Sequence, residues 1–225
     1  MSAEDSLSSY LHGNLPIASI YPVLRDRHPE SGEASSEIGI PMCDSHEVRF
    51  LAPIPEMGSY YIVNETALGK LGLTTEQLCE VATANLWKLF KAHQETLTLG
   101  ELLHEDTEQP SGVWEMQYAG KLDDASFVSG LLLLPYFLDG LMSVLVEKAG
   151  WSPSAVLAAA VPVRDTVLLF NAEPREDRAA ILQTMRNFIR ERYDGGGAGD
   201  SKPVSDSIIA LHHSEDESGW ITLME

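Results

Sequence analysis

Apolar positions change period several times along the chain, and each change predicts an element. Val167–Phe170 is a continuous apolar run, long enough for a strand buried on both faces and too short for a helix. It closes the stretch Ala158–Phe170 (AAAVPVRDTVLLF), where Pro162 can begin a strand but not occupy its middle, because proline lacks the ladder N–H. Asn171–Pro174 is turn chemistry and Glu176–Arg192 an amphipathic helix, so a central strand feeding a helix is the anchor of the predicted fold. Glu47–Ile54 alternates, with Val48, Phe50, Ala52 and Ile54 on one face and Glu47, Arg49 and Leu51 on the other. A turn at Pro55–Ser59 and a strand at Tyr60–Val63 complete a hairpin. Val113–Ala119 alternates too, placing Trp114, Met116 and Tyr118 on one face. Pro22 limits the apolar segment Ile17–Leu24 to an edge or a strand start. Ser207–Leu211 and Trp220–Leu223 flank the acidic turn Ser214–Gly219 as a terminal hairpin.

Helical spacing is clearest after Thr74. Thr74 and Gln77 form a capping box, and Leu78, Val81, Ala82, Leu86, Leu89 and Phe90 make one apolar stripe. Asn85 interrupts that stripe and is expected to hydrogen-bond nearby backbone. Asp124 is the expected N-cap of a helix over Ala125–Leu134, and Pro135 starts a second segment running to Lys148. Gly130–Val146 is apolar, but it is about 17 residues long against the roughly 20 a membrane span needs, and it contains Pro135 and Asp139. A core helix pair is the better reading. Arg25–Glu37 and His93–Gln109 read as exposed, irregular loops, and Gly195–Gly197 as a flexible one. The expected architecture is α+β (or α/β): a polar leader over residues 1–16, then a single unit over 17–225 with a mixed β-sheet covered by amphipathic helices.

Composition narrows the functional classes. A hydrophobic content of 44% belongs to a folded chain. The excess of 34 acidic over 15 basic residues gives a net charge of −19, a field that repels nucleic-acid phosphates and anionic lipid and favours a basic protein partner. Cys43 and Cys79 form no CxxC pair, no basic flank precedes an apolar signal core, and a reducing cytoplasm is therefore the expected compartment. Cys79 falls in a helical pattern and reads as a small core residue.

No GxSxG elbow, Walker loop, GxGxxG or HExxH occurs, and no cofactor or metal site is expected. His212 and His213 are neighbours on a predicted strand and would face opposite ways. Asp165 and Asp206 follow similar Pro-Val steps, so neighbouring strands would carry both carboxylates to one rim, where they either cap turns or hold a hard cation.

These pieces also assemble in order. Ile20-Tyr21-Pro22-Val23-Leu24-Arg25, Ala82-x-x-Asn85-Leu86, Asp124-Ala125-Ser126, Leu134-Pro135 and Val161-Pro162-x-x-Asp165-x-x-Leu168 together resemble the YtpQ-like bacterial family over about residues 17–223. That family is a domain of unknown function, so the resemblance implies a cytoplasmic bacterial α/β protein and supplies no reaction. The acidic loops near 101–108 and 214–217 depart from it, as does the lack of the extra N-terminal region of longer members.

The leading functional expectation is a non-enzymatic protein-binding module, regulatory or immunity-type, acting through acidic loop tips at Glu105, Asp106, Glu215, Asp216 and Glu217. The alternative is a metal-dependent hydrolase or other enzyme assembling Asp124, Ser126, Asp165, Asp206 and Arg25, with His212 in reserve. A third is a small-ligand sensor using the Trp114/Tyr118 face.

Overall fold

A computed structural model describes residues 15–27, 37–54, 59–104, 107–118, 125–163, 166–174, 176–195, 204–213 and 218–223. The stretch predicted to anchor the fold holds two strands, β7 (Leu157–Val163) and β8 (Thr166–Asn171), which pair antiparallel with Ala160 opposite Leu168. They occupy the middle of a six-stranded sheet ordered β10-β9-β7-β8-β6-β5, with β5 Leu97–Leu103, β6 Pro110–Tyr118, β9 Ile208–His213 and β10 Ser218–Thr222. Every residue of β7 and β8 is buried, which explains the unbroken apolar run. Leu168 and Phe170 face one side with helix residues Ile181, Met185 and Ile189, and Val167 and Leu169 face the larger core on the other. The helix is the predicted one, over Arg178–Gly195.

Pro162 departs from expectation by lying inside β7, one residue from its end. A register irregularity between Ala160 and Val163 removes the need for its missing N–H, and its carbonyl accepts from the Val204 N–H at 2.9 Å. The His93–Gln109 loop also needs correcting. Leu97 and Leu99 alternate with polar residues as half-buried positions of the edge strand β5, a pattern hidden in sequence by the acidic residues around it.

The second sheet has four strands: β1 Tyr21–Asp26, β2 Gly39–Pro41, β3 His46–Ile54 and β4 Ser59–Ile62. β1 is an edge, as Pro22 requires, and the β3–β4 hairpin pairs Leu51 with Ile62. Val48, Phe50, Ala52 and Ile54 are buried as predicted, but so is Leu51, so core residues cover the middle of β3 on both faces. The α+β class is as expected. The expected mixed sheet is replaced by two sheets in which every pairing among the described strands is antiparallel.

Four α-helices are described: α1 Glu65–Leu71, α2 Thr75–His93, α3 Pro135–Ala149 and α4, the Arg178–Gly195 helix. The Thr74 capping box opens α2, and Asn85 donates to the carbonyls of Ile17 and Ile20 at 2.8 and 3.0 Å, tying the 3₁₀ turn Ile17–Ser19 to the helix. The helix expected at Ala125–Leu134 is instead a 3₁₀ segment, Ala125–Leu133, wedged between the two sheets. Its Phe127, Val128, Leu131 and Leu132 are fully buried. Gly130 lies so close to β1 that a Cβ would run into the Pro22 carbonyl oxygen, and Ser129 Oγ accepts the Leu24 N–H at 3.2 Å. Pro135 starts α3 after a bend of 95°, and among the described residues no single helix is long and apolar enough to cross a membrane.

Candidate functional site

Strands β5 and β6 pair Glu101 with Trp114, then slip register before Leu103 meets Pro110. The irregularity falls at Ser111–Gly112, where Gly112 takes φ +75°, open to glycine and costly to other residues. Its N–H donates to Glu101 Oε1 at 2.9 Å, and Ser111 Oγ accepts the Val113 N–H at 3.1 Å. The strand is thereby re-aimed beside the end of α3, where Gly150 closes the helix at φ +65° and turns the chain into Trp151 and Ser152. Asn171 and Glu173 arrive from the end of β8, held by the Glu173 N–H donating to Asn171 Oδ1 at 2.9 Å.

These segments enclose a cleft of about 300 Å³ lined by Glu101, Gly112, Trp114, Trp151, Asn171 and Glu173 together with the α3 terminus. Its polar character is one-sided. Two carboxylates and the partially negative C-terminal end of a helix face it, and no Lys, Arg or His lines it among the described residues. Lys148, in the last turn of α3, is exposed and stands outside the lining. Trp114 and Trp151 also line it but are more than nine-tenths buried, so the open surface of the cleft is mostly polar. The volume suits one side chain or a small cation, at the low end of ligand-sized cavities of roughly 300–1,000 Å³. A guanidinium or ammonium group is the species two carboxylates at such a site can pair with.

Sequence reasoning singled out Trp114 but missed Glu101 and Glu173. Glu101 sat in a supposed loop, and only the β5–β6 register shows that it faces Trp114. Tyr118, its proposed companion in a sensor face, is buried, and burial pushes its phenol up to about 12. That face packs the core and reaches the cleft through Trp114 alone.

The carboxylate set is only partly placed. Asp124 and Asp165 lie outside the described residues, as do the proposed binding residues Glu105, Asp106, Glu215, Asp216 and Glu217. Ser126 belongs to the 3₁₀ segment, and His212 pairs with Gly219 across the β9–β10 hairpin. Asp206 is exposed just before β9, and Arg25 is half-buried on β1 opposite Glu47. β7 and β9 do prove to be neighbours, and the Ser205 hydroxyl donates to Asp26 Oδ1 at 2.9 Å, so the segments bearing Arg25 and Asp206 meet at one rim. Among the described residues no group of three or more His, Cys, Asp or Glu side chains is placed to hold a metal ion. Comparison with family models, with curated proteins and with solved structures finds no match to this chain.

Proposed function

We propose that this protein acts by binding a protein partner with a basic surface, and that the cleft between β5, β6 and the α3 terminus receives one of the partner's Arg or Lys side chains. The observation that carries this reading is the one-signed lining: two carboxylates and a helix C-terminus, with no Lys, Arg or His among the described residues that line the cleft. The net charge of −19 acts in the same direction at longer range, accelerating encounter with a basic surface. Regulatory and immunity roles both fit such a module, and the YtpQ-like resemblance, which carries no reaction, is compatible with either in a bacterial cytoplasm.

The test uses the full chain, immobilised to capture partners and then studied by binding kinetics at two ionic strengths. Association should slow as salt rises. Glu101→Gln combined with Glu173→Gln keeps the Gly112 acceptor and should weaken binding about tenfold, equivalent to ~1.4 kcal/mol, at an unchanged melting temperature. Binding that ignores both salt and the double substitution would overturn the proposal.

A further inference from the structure

The edges of the two sheets are not equally protected. An edge strand leaves alternate N–H and C=O groups without a ladder partner, and a further strand adds there unless proline, lysine, brevity or a covering group prevents it. β1 carries Pro22, and β2 and β4 have three and four residues, Pro41 among them. β10 has five residues, and its Thr222 hydroxyl oxygen accepts the Ser45 N–H at 3.1 Å and lies 2.8 Å from Ser45 Oγ, which ties its end to the turn before β3. β5 differs. It runs for seven residues, Leu97–Leu103 (LTLGELL), with neither Pro nor Lys, and among the described strands none lies on its outer side. Thr98 and Gly100 are exposed, a Cβ on Gly100 would meet nothing within 4 Å, and Leu103 is 51% exposed at the end of the strand.

We propose that β5 is where the basic partner docks: an extended segment of that protein adds to the open edge as a further strand and carries its Arg or Lys opposite Glu101. This docking mode rests on the cleft reading and adds the main-chain route by which the cation arrives. Glu101 belongs to β5 and lines the cleft. A residue opposite it on an added strand has its Cβ about 5 Å away, within reach of a long cationic side chain. Leu97 and Leu99 share the Glu101 face by the two-residue period of a strand, and both are half-buried against the larger core. The incoming strand therefore needs an apolar residue two positions from its cation, opposite Leu99. Pairing of β5 with β6 is regular from Leu97 to Glu101 and slips only beyond it, so this stretch presents an even template. A second copy of this chain is the poorer occupant, because it brings the same net charge of −19.

The probe is the acetylated, amidated peptide Thr-Val-Thr-Arg-Thr-Val-Thr, with valine two residues from the arginine on either side, so that it fits in both strand directions. It is titrated into the full chain and followed by amide chemical shifts and hydrogen exchange, beside two backbone N-methylated versions, one methylated at Val and Arg, the other at each Thr. In an added strand one of these sets of N–H groups bonds β5 and the other points away from it. One methylated peptide should therefore lose at least about tenfold in affinity, and the other should bind as the parent does. The parent should also slow exchange of the β5 amides that do not bond β6. Equal affinity of the two methylated peptides, no added protection on β5, or no binding of the parent overturns strand addition; cleft signals that still respond to acetyl-arginine amide would then leave the cleft reading intact. A citrulline peptide that binds as tightly as the arginine peptide while keeping the alternation overturns the cleft reading, and with it the place of a cation opposite Glu101. Protection of β5 that rises with protein concentration in the absence of peptide puts a second copy on the edge and overturns the choice of partner.

Discussion

The centre of the six-stranded sheet and the rim of the four-stranded sheet treat polar groups in opposite ways. At the centre, β7 and β8 are buried at every position, and Thr166 and Asn171 at the ends of β8 are the polar residues of those two strands. At the rim, Ser45, His46, Thr222, Asp26 and Ser205 meet across the two sheets through side-chain hydrogen bonds. The central strands are held by area removed from water, a non-directional force that tolerates exchange among apolar residues of similar volume. The rim is held by directional bonds, each of modest net worth, whose loss leaves a buried group unpaired. Apolar burial and side-chain hydrogen bonding are therefore concentrated in different parts of this molecule. Substitutions at the centre should unfold it, and substitutions at the rim or cleft should act on single local contacts.

Leu168→Ala tests the centre and has the largest expected effect. It removes a fully buried side chain between β7, β8 and α4 and should cost about 2–5 kcal/mol in urea melts. A loss under roughly 0.5 kcal/mol would place the strand at the periphery. Asn85→Ala is intermediate. It strips the Ile17 and Ile20 carbonyls of their donor inside the core and should cost about 1–3 kcal/mol. Its signature is early hydrogen exchange in the segment joined to β1, with the β7–β8 amides still protected; uniform loss of protection would mean the tether belongs to the centre.

The third effect is a pH dependence at the rim. The Cys43 thiol is depressed in the folded protein to about 6, below its ordinary value near 8.5, so between those values the unfolded chain binds the extra proton. The stabilisation is present above about 8.5 and is lost as pH falls through about 6. The stability of the wild-type protein minus that of Cys43→Ser should accordingly rise between pH 6 and 9, a slope absent if the thiol titrates normally.

What was legible in the sequence follows the same division. Period and capping chemistry are local, so the α2 capping box, the alternation of β3 and β6 and the apolar run of β8 could be read directly. The role of Asn85 was legible for a related reason, since an amide on an apolar stripe must find partners. Strand β5 and the interior placement of Pro162 were not, because both depend on register with a partner strand. Polar groups brought together from distant segments were the least legible. Cys43 and Thr222 are brought together by the Ser45–Thr222 contact across 177 residues, and Glu101 meets Glu173 at a cleft built from four separate segments. The adjacency of Cys43, Ser45 and His46 was the available signal, visible as a Cys-Asp-Ser-His turn before an alternating strand.

The central claim, that the cleft accepts a cationic side chain, is tested most directly by a ligand pair differing in charge alone. Acetyl-arginine amide and acetyl-citrulline amide have nearly the same shape, and citrulline lacks the positive charge. In a titration followed by amide chemical shifts, the arginine compound should move the Gly112, Trp151 and Glu173 signals and lose affinity as salt rises, and citrulline should leave them in place. Equal shifts from both compounds, or none from either, would contradict a cleft built for positive charge.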